Sequence, residues 1–300
     1  MRLPVFGSGR CRSAGADAVV TGAGSGIGRG FALEIARRGG RVVCADIDEA
    51  GAKETAEMIG ADPQVAAALL PAGSNPQVAA LLPAGDRAVS HICDVADEAA
   101  VTALADTSEE WFGKPVDIVV NNAGIGVGGT VIGDLPMDLW RRTIDVNLWG
   151  VIHGCHVFAP RMRAAGHGGI INVGSAASFA AAPRMAAYNV SKAAVLALSE
   201  TLAAELSGTG VGVTVLCPTF VKTNIVNPET TDEKAARLAT TAMKWTGVSP
   251  DSVARAALDA LDRGQLHVVP QLDAKIIWQT KRMVPGTYTR ALGVIERITR

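Results

Sequence analysis

Aromatic residues are scarce in this chain: they make up 4% of it, and only two are tyrosines. Cysteine is thin as well. The five cysteines (Cys11, Cys44, Cys93, Cys155, Cys217) are scattered, with no C-x-x-C pair and no metal-ligand spacing. That pattern argues against a disulfide framework or a cysteine-held metal, and the cysteines read as small buried hydrophobes of a reducing compartment. No apolar run reaches the ~18 residues a membrane span needs. Met1 to Ala16 has basic residues and glycines, but not the apolar core of ~7–15 residues that marks a secretory signal. A net charge of −1 gives no global pull toward nucleic acid or anionic lipid. With 300 residues, 48% of them apolar, the expectation is a cytoplasmic, enzyme-sized α/β chain that buries a full core, with no metal.

What is abundant is glycine, and its placement is informative. Asp17 to Thr21 is a short apolar run that leads into Gly22-Ala23-Gly24-Ser25-Gly26-Ile27-Gly28, followed by an apolar-periodic segment through Phe31 and Ile35 that stops at Arg37-Arg38-Gly39-Gly40. This is strand, turn and helix. Glycines in such a turn let the backbone approach a pyrophosphate, and the helix start favours its negative charge. Strict G-x-G-x-x-G is absent; the glycines follow Thr21 as Gly22, Gly26 and Gly28. A second apolar strand, Arg41 to Asp46, ends in an acid about 20 residues past the glycines, where a carboxylate takes the adenosine ribose hydroxyls and repels a 2′-phosphate. Position 25 is Ser rather than a cation, which favours NAD over NADP, with Arg29 and Arg41 as the counter-argument.

Strand–helix alternation continues along the chain. Ala88 to Val95 is a third strand with Asp94 near its end; a helix over 97–112 precedes a strand from Val116 to Asn121, which runs into Asn122-Ala123-Gly124. A helical stretch over 136–165 contains Asn147, an unfavourable residue for a helix interior. Gly168 to Gly174 is the fifth strand and delivers Ser175; Met185 to Leu206 is a helix; Val211 to Cys217 is the sixth strand, followed by Pro218-Thr219-Phe220-Val221-Lys222-Thr223, and Gln265 to Val269 is the last. The alternation calls for a Rossmann-like, doubly wound parallel sheet with helices on both faces and a ligand at the carboxyl ends of its strands. On the helix from Met185, Tyr188 and Lys192 are four apart and share a face. An ammonium near a phenol favours the phenolate and lowers the tyrosine pKa from about 10, giving an acid/base for use near neutral pH.

Taken together, the motifs from Ala18 to Val269 resemble the compact, single-domain branch of the short-chain dehydrogenase/reductase family: Thr21 to Gly28, Asp94, Asn121 to Gly124, Asn147, Ser175, Tyr188 with Lys192, and Pro218 to Thr223. The resemblance implies a sheet of seven parallel strands binding NAD(P), and a catalytic tetrad of Asn147, Ser175, Tyr188 and Lys192. Tyr188 would exchange the proton of a substrate hydroxyl while hydride passes to or from nicotinamide. Lys192 would lower the tyrosine pKa and hold the nicotinamide ribose, Ser175 would steady the reacting oxygen, and Asn147, at a bend in its helix, would hold a relay water. The implied cofactor contacts are Gly22, Ser25, Gly26, Ile27, Gly28, Asp46, Asp94, Val95, Asn121, Ala123, Gly124, Tyr188, Lys192, Pro218, Val221 and Thr223, the last two clasping the carboxamide. The chain departs from the family at Gly174-Ser175, where two serines are common, and at Pro218-Thr219, where Pro-Gly is usual.

Three segments stand outside this frame. Residues 62–85 repeat nearly the same words, Pro-Gln-Val-Ala-Ala then Leu-Leu-Pro-Ala-Gly, and read as a duplicated surface excursion. Residues 224–247 occupy the place of a substrate lid, with Leu238, Met243 and Trp245 apolar, which points to a hydrophobic secondary alcohol or ketone. Residues 271–300 form a basic amphipathic extension that Pro285-Gly286 would break into two short helices. It packs over an active site, its own or a neighbour's, or else lies on a membrane surface or a subunit. The domain is thus 17–270, preceded by an extension over 1–16. A homotetramer is expected, and the rival to an NAD-dependent alcohol dehydrogenase is a silent dinucleotide-sensing protein on the same fold.

Overall fold

Side chains along the strands alternate between two cores. Val19, Val43, Val119 and Ile170 pack into one, and Val20, Cys44, Val120 and Ile171 into the other. Strands buried on both faces this way belong to a sheet covered by helices on each side. In the computed structural model, which describes residues 12–68, 87–223, 231–232, 237, 240–241 and 247–299, that sheet has seven strands: β1 (Asp17–Thr21), β2 (Arg41–Asp46), β3 (Ala88–Ile92), β4 (Ile118–Asn121), β5 (Gly168–Val173), β6 (Val211–Leu216) and β7 (His267–Val268). Every pairing is parallel, in the order β3-β2-β1-β4-β5-β6-β7. The fold is the Rossmann-like doubly wound sheet.

One layer holds α1 (Gly26–Arg37) and α9 (Pro250–Asp262), whose Phe31, Ile35, Leu258 and Leu261 are fully buried against β1, β2 and β4. Each such side chain contributes about 1.5–3 kcal/mol by leaving water. The opposite layer holds α4 (Glu98–Phe112), α6 (Gly150–Ala165) and α8 (Ala186–Glu205), with Leu104, Phe158, Met162 and Val195 inside. Among the described residues the remaining helices are α2 (Glu49–Ala61), α3 (Pro63–Ala68), α5 (Met137–Ile144), α7 (Ala177–Ala180), α10 (Leu272–Met283) and α11 (Pro285–Thr299).

Several details differ from the sequence expectation. The stretch 136–165 is not one helix: a π-helical turn, Asp145–Trp149, separates α5 from α6. An inserted residue in the turn re-aims the side chains, and it carries Asn147 fully inside. β3 ends at Ile92 rather than Val95, because Cys93 to Ala96 turn away with Asp94 Oδ1 accepting the Ala96 N–H at 3.0 Å. The start of the duplicated segment is not a surface excursion, since α3 buries Val65 in the core beside α1. Most of the duplication, most of the lid with Leu238, Met243 and Trp245, and residues 1–11 and 300 lie outside the described residues. The extension breaks at Pro285 into α10 and α11.

The strand order reverses between β1 and β4, so the loops after these two strands diverge and open a crevice at their carboxyl ends. Asn122 pins the two loops at that point: its Nδ2 donates to Thr21 O at 2.9 Å and Gly22 O at 3.1 Å. In return, Thr21 Oγ1 accepts the N–H groups of Asn122 and Ala123 at 3.0 and 3.2 Å.

Candidate functional site

A cleft of about 680 Å³ runs along the carboxyl ends of the strands, from Asp46 at one end to Ser175, Tyr188 and Lys192 at the other. Its floor near β1 is backbone. Gly22 and Gly26 have φ of 65° and 53°, values that disfavour any residue with a Cβ. A Cβ on Gly24 would lie 2.8 Å from Asp46 Oδ2. Gly28 is pressed against the strand behind: its Cβ would meet Gly22 O at 2.0 Å. α1 begins at Ser25 with no side-chain cap and no acid in its first turn, and Gly26 and Ile27 line the cleft. The first-turn N–H groups and the positive end of the helix dipole are therefore offered to an anion there.

Asp46 closes this end. Oδ2 accepts the Gly24 N–H at 2.8 Å and Oδ1 the Asp48 N–H at 3.0 Å, so the carboxylate is held at the rim of the glycine turn. The cations left open as counter-arguments are engaged elsewhere. Arg29 bonds Gly24 O, Thr55 Oγ1 and the Glu54 carboxylate. Arg41 forms a bidentate pair with Asp17 at 2.7 and 2.8 Å, at the amino ends of β1 and β2, away from the cleft.

At the other end β5 delivers Ser175, and the first turn of α8 delivers Tyr188 beside it in the same cleft. Lys192 lies one turn on, its Nζ donating to Val173 O at 2.9 Å and standing 5.9 Å from the centre of the Tyr188 ring. Both side chains are buried, and burial governs their titration. The Lys192 ammonium is pushed down to about 8 by loss of solvent. The Tyr188 phenol is pushed up by burial, with the Ser175 hydrogen bond acting in the opposite direction. This corrects the expectation of a lowered tyrosine pKa: the lysine charge points to a backbone carbonyl, and the cost of a buried phenolate wins.

Asn147 does not line the cleft. Its Oδ1 accepts the Ile125 N–H at 2.7 Å while Nδ2 donates to Ile125 O at 2.9 Å, so it clamps the loop after Gly124. Even so, Asn147 Oδ1 and Lys192 Nζ lie 3.1 and 3.4 Å from the point a Gly124 side chain would fill, so the absence of that side chain leaves a gap shared by both polar groups.

Of the expected cofactor contacts, Gly22, Ser25, Gly26, Ile27, Asp46, Asp94, Val95, Ala123, Gly124, Tyr188, Lys192, Pro218, Val221 and Thr223 all line the cleft. Gly28 does not, being turned to the β1 backbone, and neither does Asn121. The Asn121 side chain is buried under α6, donating to Asn172 Oδ1 at 2.9 Å, because the pleat sends its neighbour Asn122 to the cleft side instead. Sequence reasoning missed Asn122, Ile47, and Arg141 with Arg142 at the cleft margin. Of these, only the doubled asparagine of Asn121-Asn122 carried a signal.

A short chain dehydrogenase profile matches residues 16–74 and 64–234. The chain belongs to the short-chain dehydrogenase/reductase family. It is 43% identical over 208 residues to a Mycobacterium tuberculosis protein named as oxidoreductase EphD, a match that takes in 69% of this chain and 31% of that one. The chain thus spans about a third of the length of that relative. A second Mycobacterium tuberculosis protein, named as oxidoreductase SadH, is 32% identical over 289 residues, covering 94% of this chain and 96% of the other. Among solved structures, a short-chain dehydrogenase/reductase from Burkholderia phymatum in complex with NAD superposes with a TM-score of 0.77 at 31% identity, covering 91% of this chain and 94% of its own. Among its described residues no helix is long and apolar enough to cross a membrane.

Proposed function

We propose that this protein is an NAD-preferring dehydrogenase/reductase that interconverts an apolar secondary alcohol and its ketone. The observation that carries the reading is that Ser175, Tyr188 and Lys192 line one end of a single cleft whose other end is a glycine-lined turn gripped by Asp46.

The cleft fits a nicotinamide dinucleotide. The turn at Gly22 to Gly26 would take the pyrophosphate, Asp46 the adenosine ribose, Asp94 and Val95 the adenine side, and Val221 with Thr223 the carboxamide. The preference for NAD is supported by the acid at Asp46 and by the engagement of Arg29 and Arg41 with other partners. NAD, when bound, supplies a nicotinamide that accepts or gives up a hydride.

The rest is the work of this chain's own side chains. Tyr188 donates its phenol proton to the carbonyl oxygen in reduction and takes it back in oxidation. The Ser175 hydroxyl, beside the phenol, hydrogen-bonds the same oxygen and stabilises charge developing on it. Lys192 positions the nicotinamide ribose and, near neutral pH, holds a positive charge behind the tyrosine. Asn147 completes a path for the proton away from Lys192, through the gap beside Gly124. Ile125, Pro218 and Val221 give the reacting end apolar walls, which suits a substrate with hydrocarbon on both sides of its carbinol. NADH formation on mixing NAD with a panel of such alcohols tests the proposal. Tight NADH binding with no turnover on any of them would instead favour a silent dinucleotide sensor.

A further inference from the structure

Ser175 and Tyr188 come from different elements. α7 starts two residues after Ser175, α8 carries Tyr188 in its first turn, and only residues 181–185 join them. Among the described residues, two non-glycine positions have positive φ, Ala181 at 52° and Arg184 at 59°, and both are in this link. L side chains rarely adopt that conformation, and it persists where surrounding contacts hold it.

Two of those contacts come from the far end of the chain. Tyr288 donates its hydroxyl to Ala180 O at 2.9 Å. Glu296 accepts from Arg184 Nε at 3.0 Å, forming an ion pair. From the domain itself, Gly129 N–H donates to Arg184 O at 2.8 Å and Asn189 Nδ2 to Ala182 O at 2.7 Å. Among the described side chains of α11 none is buried. Its half-buried positions Tyr288, Leu292 and Glu296 recur every four residues and form one stripe, while Ile298 on another face is 78% exposed. The helix is therefore fastened through that stripe, which meets the link at both of its ends.

We propose that Tyr288 and Glu296 are positioning residues, bracing the 181–185 link so that Ser175 and Tyr188 meet in register. The proposal rests on the dehydrogenase reading for its catalytic consequence. The root of the extension acts alike on the opposite loop: Gln271 Oε1 accepts the Thr219 N–H, and its Nε2 donates to Phe220 O, both at 3.2 Å. The extension thus grips the two loops on either side of the reacting groups, and small displacements of reacting groups carry large rate penalties.

The test uses the full chain with Tyr288→Phe and Glu296→Gln combined, and Ile298→Ser as a control on the same helix. Backbone hydrogen exchange should rise across 180–185 in the double variant, while β5 and the middle of α8 stay protected. The kcat for a secondary alcohol should fall roughly tenfold with the KM for NAD unchanged, and the control should behave as wild type. Wild-type exchange and kcat in the double variant would overturn the proposal. So would a general rise in exchange over the sheet with loss of NADH affinity, which marks simple destabilisation. A wild-type protein that oxidises no alcohol would remove the dehydrogenase reading alone, and exchange across 180–185 would then decide whether the last helix holds the link.

Discussion

Asp46 Oδ2 accepts the Gly24 amide proton at 2.8 Å, so the acid at the end of β2 and the turn after β1 are locked to each other. The carboxylate is presented to the cleft at a fixed height, where a 2′-hydroxyl would find an acceptor and a 2′-phosphate a like charge.

Asp46→Ala should therefore weaken NAD binding and narrow the preference for NAD over NADP by roughly tenfold, about 1.4 kcal/mol. Titration with NADH and NADPH by fluorescence reads both affinities. An unchanged ratio would remove Asp46 from coenzyme selection.

Two glycine substitutions should move stability in opposite directions. In Gly28→Ala the new Cβ would lie 2.0 Å from Gly22 O and 2.5 Å from Asn122 Nδ2, so β1 and α1 must part. The expected loss is about 3 kcal/mol, together with coenzyme binding. In Gly60→Ala nothing lies within 4 Å of the new atom, and the helix should gain about 0.5–1 kcal/mol. Urea unfolding of the two variants beside wild type checks both signs.

Lys192 is costly to fold with its charge. Its lowering from 10.5 to about 8 by burial corresponds to a penalty of roughly 3 kcal/mol while it is protonated. Between those two values the unfolded chain binds more protons at this group than the folded one, so its contribution to stability rises with pH across that window and is flat below it. Lys192→Met should be the more stable protein at neutral pH, and its lead should shrink as pH rises through about 8 toward 10.5. Denaturant midpoints of the pair against pH measure this; a lead that stays constant across the window would contradict it.

Tyr188 titrates upward, held neutral by burial. The free enzyme thus carries a proton donor at neutral pH, and kcat/KM reports the free enzyme's groups. Ketone reduction should be near its full rate at neutral pH, whereas kcat/KM for alcohol oxidation should keep climbing past about 8, the value for Lys192. An oxidation profile already flat at neutral pH would mean that Tyr188 ionises much lower than its burial implies.

The parts of this fold legible in the sequence were those that local chemistry dictates. The apolar run Asp17 to Thr21, the glycines behind it and the acid at Asp46 fix a strand–turn–helix–strand unit by themselves, and repeated alternation fixes the parallel sheet. The four-residue spacing of Tyr188 and Lys192 placed them together. It could not tell that Lys192 would turn to Val173 O or that burial would outweigh its charge at the phenol, because desolvation depends on the whole fold. Asn147 was visible only as an anomaly in a helix; the π turn carries it inside, where its partner is Ile125, 22 residues away. Asn121 and Asn122 look alike in sequence, and the pleat alone decides which one reaches the cleft. The attachment of Tyr288 to Ala180, a pair 108 residues apart, left no local trace.

The central claim is that Tyr188 carries the proton. Its most direct test is NAD-linked turnover of apolar secondary alcohols by wild type beside Tyr188→Phe, with NADH affinity measured for both. The variant loses one oxygen, so NADH should bind as before while kcat falls on the order of a thousandfold. A Tyr188→Phe protein that turns over at a rate near wild type would show that another group moves the proton.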